Sequence, residues 1–378
     1  IIDANALVNY LQAEFAVSVV SANAPVVGGE QLNVTAGVNN TGNMEATKKI
    51  DLSVGDLGSS STSVTLGGGN STNVTLSVGT GAGDAGAYTA TVSSPDDAAS
   101  TNVTVLAPAA FTVDIAETNT PVEGELLNVT AEVENTGDAG DTQTIDLSVG
   151  TLGTDSTTVT LGGGSSTNVT LSVGTGAGDA GAYTVTVASE DDTASANVTV
   201  NEPAAFDVTI TSVDATVTAG ETVTVVYEVT NTGDVQDTQD ITFAVNGTTE
   251  DTETGVTLNG SETFSGQFSY TTGSSDTPAV TIAVASEDDA ASETVTVNAP
   301  ATFDVTIISV DSAVTAGEIV TASYEVTNTG DVQATQDINF SINGSVEDTE
   351  PSVTLNESET FSGQFSYTTG STDTPAVS

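Results

Sequence analysis

Along most of the chain, apolar and polar side chains take turns. Leu32-Asn33-Val34-Thr35-Ala36 and Val223-Thr224-Val225-Val226-Tyr227 each place an apolar residue at every second position, the period of a β-strand with one face inward and one in water. Glycine, asparagine, aspartate and serine interrupt these runs about every eight to twelve residues, the rhythm of antiparallel strands joined by tight turns. The pattern predicts an all-β chain built of antiparallel β-sandwiches.

The pattern also repeats. Phe15 in AEFAVSVV, Phe111 in AAFTVDIA, Phe206 in AAFDVTIT and Phe303 in ATFDVTII lie 96, 95 and 97 residues apart and mark four first strands. Four domains follow, at residues 15–106, 111–201, 206–298 and 303–378, behind an extension at residues 1–14. Each is long enough to bury a modest core. Ala107-Pro108-Ala109-Ala110, Glu202-Pro203-Ala204-Ala205 and Ala299-Pro300-Ala301-Thr302 join them, and connections this short and proline-stiffened predict a semi-rigid rod.

Every domain carries an Asn-Thr-Gly motif: VNNTG ending at Gly42, VENTG ending at Gly137, and VTNTG ending at Gly233 and at Gly330. Asn and Gly are expected to supply left-handed backbone angles for a tight turn there. Domains 1 and 2 share GGGxSTNVTLSVGTGAGDAGAYT, and domains 3 and 4 share ETFSGQFSYTTGSxDTPAV, so the repeats form two related pairs. In the first pair, Asp84 to Tyr88 and Asp179 to Tyr183 read as a D-x-G-x-Y corner, in which the tyrosine hydroxyl ties down a loop. Val280 and Val377 stand in the tyrosine's place in the second pair, so that corner must be tied in another way.

Together, the Asn-Thr-Gly motif after the second strand and the sandwich pattern resemble the CARDB-type and related immunoglobulin-like repeats of prokaryotic surface proteins, haloarchaeal ones especially, over residues 15–378. The resemblance implies tandem immunoglobulin-like antiparallel β-sandwiches outside the cell. The expected role is a structural protomer of a filament or pilus-like assembly of a halophilic archaeon, whose partners are copies of itself and other surface components. The alternative is an S-layer or stalk-type glycoprotein, or an adhesin. Neither role is catalytic.

Composition sets the environment. Fifty-two Asp and Glu stand against two basic residues, Lys48 and Lys49, for a formal charge of −50. Such self-repulsion is tolerable where molar salt shortens the Debye length to about 3 Å, which points to a brine habitat. An apolar fraction of 37%, patterned with period two, argues against disorder. With no His and no Cys, the Ser-His, Cys-His and histidine-metal constellations cannot be built. Gly67-Gly68-Gly69 and Gly162-Gly163-Gly164 lack the lysine of a P-loop, and two lysines cannot hold a polyanion, which excludes nucleic acid. No run approaches the ~20 apolar residues of a membrane span. Ile at position 1 is expected of a processed chain or a fragment.

The two ends depart from the repeat. Aligned with domain 3, domain 4 stops about two strands short, and either the sequence is cut there or a neighbouring subunit completes the sheet. In residues 1–14, Leu7, Leu11 and Phe15 recur at helical spacing, while Ala4, Ala6, Val8 and Tyr10 alternate as a strand does. Ile1, Ile2, Leu7, Val8, Tyr10 and Leu11 are accordingly candidates for an assembly element, whether helix or donated strand.

Two further patterns could carry chemistry. N-x-S/T acceptor sites for covalent glycans stand at Asn33, Asn39, Asn70, Asn73, Asn102, Asn128, Asn168, Asn197, Asn246, Asn259, Asn339, Asn343 and Asn356. Acidic clusters recur at Asp96-Asp97, Glu190-Asp191-Asp192 and Glu287-Asp288-Asp289. They are weak calcium candidates, because no D-x-D-x-D-G loop is present and neighbouring side chains in a strand point opposite ways; a hydrated turn is the plainer expectation.

Overall fold

The structure is a computed structural model that describes residues 12–373. The assembly candidates Ile1, Ile2, Leu7, Val8, Tyr10 and Leu11, like Val377, lie outside the described residues. The chain forms two compact units that part between Asn201 and Glu202.

Domain 1 shows the plan. Its strands are β1 (Phe15–Ala22), β2 (Val26–Val27), β3 (Gln31–Asn40), β4 (Ala46–Val54), β5 (Gly58–Leu66), β6 (Ser71–Gly79), β7 (Gly86–Ser93) and β8 (Ala98–Leu106). One sheet runs β1-β3-β6 and the other β2-β8-β7-β4-β5. All pairs are antiparallel except the short β2–β8 pair. The alternation seen in the sequence decides what goes inside: Leu32, Val34, Ala36 and Val38 of β3 meet Ile50, Leu52 and Val54 of β4, with Phe15 fully buried between the sheets. Burying one such side chain contributes about 1.5–3 kcal/mol. The plan recurs in domains 2 and 3, each with its own separate core. This is an immunoglobulin-like sandwich repeated in tandem.

Domains 3 and 4 fill their cores with aromatic rings. Tyr227 stacks on Phe268 at 5.0 Å and Phe268 on Phe243 at 5.2 Å; Tyr324, Phe365 and Phe340 repeat the stack at 4.7 and 5.0 Å. Gly266 lies opposite Tyr227 in the ladder, and a Cβ there would fall 2.4 Å from the tyrosine Oη. The glycine is what lets the ring lie across the sheet.

The corners behave as the sequence anticipated. Tyr88 Oη donates to Asp84 O and Tyr183 Oη to Asp179 O, both at 2.9 Å. In the second pair the tie comes from the preceding strand: Tyr270 Oη donates to Asp276 Oδ2 at 3.1 Å, and Tyr367 Oη to Asp373 Oδ2 at 3.2 Å.

The Asn-Thr-Gly motif needs a correction. None of Gly42, Gly137, Gly233 and Gly330 has positive φ, so they are not there for left-handed angles. A Cβ on Gly137 would lie 2.0 Å from Pro108 O, and one on Gly233 1.9 Å from Pro203 O, so only glycine lets the incoming linker pass. The asparagine is a fully buried clamp. Asn135 Nδ2 donates to Ala139 O and Leu161 O, while its Oδ1 accepts from Gly137 N and from Ala110 N of the linker. Asn231 and Asn328 repeat this set on Ala205 N and Thr302 N. The next residue, Asp138, Asp234 or Asp331, accepts from Ala107 N, Glu202 N or Ala299 N. In domain 1 the same seat holds Gln12–Glu14, with Thr41 N donating to Glu14 O and Asn43 N to Gln12 O.

Candidate functional site

The first strand of each domain is an edge strand, and edges need protection. In domains 1 to 3 the protection comes from the acidic turn about 80 residues later in the chain. Asp191 Oδ2 accepts from Phe111 N at 2.9 Å and Asp192 Oδ2 from Val113 N at 3.0 Å, while Ser189 Oγ donates to Phe111 O. Asp288, Asp289 and Ser286 hold Phe206 and Val208 in the same way, as Asp96, Asp97 and Ser94 hold Phe15 and Val17. A glutamine on the opposite sheet closes the clip: Gln143 Nε2 reaches Asp191 Oδ2 at 2.7 Å and Gln239 Nε2 reaches Asp288 Oδ2 at 2.6 Å. In domain 1, Lys48 takes that place on Asp96.

The clip shows in the acidities. The Lys48 ammonium and then the Phe15 amide hold Asp96 below its ordinary 3.8. The Phe111 amide followed by Gln143 lowers Asp191, and the Val208 and Ala290 amides lower Asp289. Hydrogen bonds to the ionised form are the cause in each case.

This is where the structure places the weak calcium candidates. Asp191, Asp192, Asp288 and Asp289 accept from backbone amides, and the backbone N–H groups of Glu190 and Glu287 donate to Gln143 and Gln239 Oε1. Among the described residues no group of three or more acidic side chains is placed to hold a metal. The serine and the glutamine of the clip escaped sequence reading. Their signal was recurrence: Ser-X-Asp-Asp stands 78 to 80 residues after the first-strand phenylalanine in three domains.

Among the described residues, domain 4 shows the frame and no counterpart of the clip, whose positions would fall beyond Ser378. Its described strands are Phe303–Val310, Ile319–Asn328 and Thr360–Thr368 in one sheet, and Ala334–Ile342 with Ser345–Leu355 in the other. Nothing described covers the inner side of the first strand. Val305 is 50% exposed where Val208 is 5%, and Val314 36% where Val217 is 8%. Ile307 and Val310 are exposed too. Ala313 to Thr315, whose counterpart Thr216–Thr218 pairs in parallel with Ala290–Asn298, forms no strand. Gln336, the counterpart of the buried Gln239, faces solvent. The edge of Ala334–Ile342 that in domain 3 receives Ala279–Ala285 is open among the described residues.

The sequons fall into two classes. Asn39, Asn70, Asn73, Asn102, Asn168, Asn197, Asn246, Asn259, Asn339, Asn343 and Asn356 are exposed, whereas Asn33 and Asn128 are half-buried in central strands. Asn33 Oδ1 accepts from Ser77 Oγ at 2.6 Å and Asn128 Oδ1 from Ser172 Oγ at 2.7 Å.

No protein-family model and no curated protein sequence matches the chain. Among solved structures it is similar to Sidekick-1 immunoglobulin domains 1–5, with 14% identity, 76% of this chain and 59% of that one covered, and a TM-score of 0.27. It is similar to the Dpr2 Ig1-Ig2 and DIP-Theta Ig1-Ig3 complex, with 14% identity, 73% and 96% covered, and a TM-score of 0.23. Native E. coli α-2-macroglobulin gives 9% identity and a TM-score of 0.26, this chain being covered to 95% but spanning only 30% of that one. At these TM-scores the likenesses carry no argument, and the fold assignment rests on the strand pairing above. No helix among the described residues is long and apolar enough to cross a membrane.

Proposed function

We propose that this chain is a structural, non-catalytic protomer of an extracellular surface assembly of a halophilic archaeon, filamentous and joined head to tail. The tandem repetition of the sandwich carries the proposal, with each short proline-containing linker held by the buried asparagine of the domain that follows it. A second observation favours a protein partner on the outer surface of domain 4. Ile308 and Ile319 are exposed where domain 3 places Thr211 and Thr222, so domain 4 would present apolar surface to a neighbour even with its core covered. A contact of this kind, between different patches of two copies, propagates into a fibre.

Partners are copies of the chain and other surface components. The exposed sequons suit covalent glycans, and the charge of −50 suits molar salt. The aromatic residues do not favour a local adhesive site, because Tyr227, Phe243 and Phe268 sit in the core and not in a loop cluster.

Two experiments test the reading. Deleting residues 1–14 should shorten or abolish filaments isolated from cells; unchanged filaments would remove that segment from the joint. Transfer from molar to about 0.1 M salt, where screening reaches only ~10 Å, should dissociate or unfold the chain. A protein fully native in dilute buffer would sink the halophile part.

A further inference from the structure

Each domain has the same edge strand, the hairpin partner of β4 or of its equivalent: β5 in domain 1, then Gly153–Leu161, Thr248–Leu258 and Ser345–Leu355. The last three are protected. In domain 2, Asp155 Oδ1 accepts from Ser156 N and its Oδ2 from Ser172 N of the opposite sheet, both at 2.9 Å. In domains 3 and 4, Asp251 Oδ1 accepts from Thr252 N and Asp348 Oδ1 from Thr349 N, both at 2.8 Å. Those two strands also carry Glu250 and Glu253, or Glu347 and Glu350, and break register with their neighbours. Charges and bulges on an edge are what stop a sheet from growing.

Domain 1 has none of these devices. β5, GSSSTSVTL, runs nine residues without a charge or a proline and pairs with β4 without a break in register. Ser61 opposes Asp51 of β4 as Ser156 opposes Asp146 in domain 2, so Ser60 stands where the other domains have the capping aspartate. No described side chain accepts from Ser61 N, and Ser59, Ser61, Ser63 and Thr65 are exposed. In a chain with 52 acidic residues, two copies that meet along this neutral strand face little repulsion at the contact. The neighbouring strand adds complementarity. Lys49 and Asp51 form an exposed ion pair at 2.5 Å on β4, and Lys49 lies opposite Ser63.

We propose that β5 is the edge along which a second copy of this chain joins domain 1 side by side, the two β5 strands running antiparallel about Thr62 and merging two five-stranded sheets. The aspartates of the other domains cap an amide that faces outward; here Ser61 N donates to Ser63 O of the second copy, and Ser63 N of the second copy donates to Ser61 O. Ser59 meets Thr65 and Ser61 meets Ser63, cross-strand hydroxyl pairs of the kind Thr35 and Thr75 make at 3.1 Å. In each row of the joined sheet, Lys49 of one copy is aligned with Asp51 of the other, so no row sets like charges together. The contact uses the same patch on both copies and closes as a pair. It goes beyond the head-to-tail reading and does not depend on it.

Sedimentation equilibrium of the 378-residue chain in molar salt should show self-association into pairs. Ser60→Asp installs the cap that domain 2 carries at the equivalent place, so the fold is kept, and it should weaken the pairing about tenfold or more, because edge charge opposes strand addition. Thr62→Cys should give a disulfide-linked dimer on mild oxidation, since the centre of the pairing brings its two Cα atoms to about 4.5 Å. The chain has no other cysteine to confuse the result. Thr157→Cys, the equivalent position on the protected strand of domain 2, should not cross-link. A chain that stays monomeric overturns the proposal, as does association that Ser60→Asp leaves intact, or equal cross-linking at positions 62 and 157. Because the head-to-tail joint is argued without β5, continuous filaments should survive Ser60→Asp, and the two contacts fail independently.

Discussion

Domains 3 and 4 share their strand frame, their aromatic stack and their Asn-Thr-Gly clamp, yet among the described residues one has a closed core and the other an uncovered face. The difference teaches which interactions are local and which are long-range. The clamp and the stack form from residues within about 60 positions of each other and are complete in both domains. The edge clip and the cover of the first strand come from a hairpin about 80 positions away and, of these two domains, are seen among the described residues only in domain 3. A strand of nearly the same sequence, FDVTITSV against FDVTIISV, is core in one setting and surface in the other.

Inward charge should separate the two most strongly. Val208→Asp puts an unpaired carboxylate into a closed core and should cost domain 3 about 4 kcal/mol or more, read by chemical denaturation in molar salt. Val305→Asp should cost domain 4 less than about 0.5 kcal/mol; a comparable loss at both positions would mean that domain 4 is covered in solution. Phe206→Ala should follow at about 3–5 kcal/mol, with Phe303→Ala well below it, because Phe303 is only half-buried. Gly233→Ala drives a methyl into Pro203 O and should cost about 1–3 kcal/mol, and Gly330→Ala the same, since this clamp is common to both domains.

Acidity gives a smaller contrast. The folded state lowers the pKa of Asp289, as it does for Asp96 and Asp191, so the stability these groups contribute is present above their ordinary 3.8 and drains away as pH falls below it. Domains 1 to 3 should loosen at the first strand in that acid range, seen as faster exchange at Phe15, Phe111 and Phe206. Phe303 should show no such step. At the alkaline end, burial, then Glu253 and Asp251, pushes Tyr227 up to about 12. A raised pKa means stability lost as pH climbs from 10 to about 12, and phenolate absorbance should show this tyrosine ionising late.

Much of this was legible in the sequence because it is periodic or local. Alternation placed Leu32, Val34, Ala36 and Val38 inside; the recurring phenylalanines marked the first strands; Asp84 to Tyr88 named its own hydrogen bond. The Asn-Thr-Gly motif was found but misread, because its glycine answers to a linker carbonyl that only tertiary structure brings close. The acid pairs were found and judged hydrated, because the amides they cap lie about 80 residues upstream and an exposed carboxylate looks the same in sequence whether or not it has a partner. Gln239 and Gln336 carried no signal of their own beyond recurring two residues before Ile241 and Ile338.

Cryo-electron microscopy of native material, isolated from cell surfaces and held in molar salt, tests the central claim most directly. The account predicts continuous filaments whose axial repeat is comparable to three or four of the tandem domains. Isolated chains or a two-dimensional lattice would contradict it.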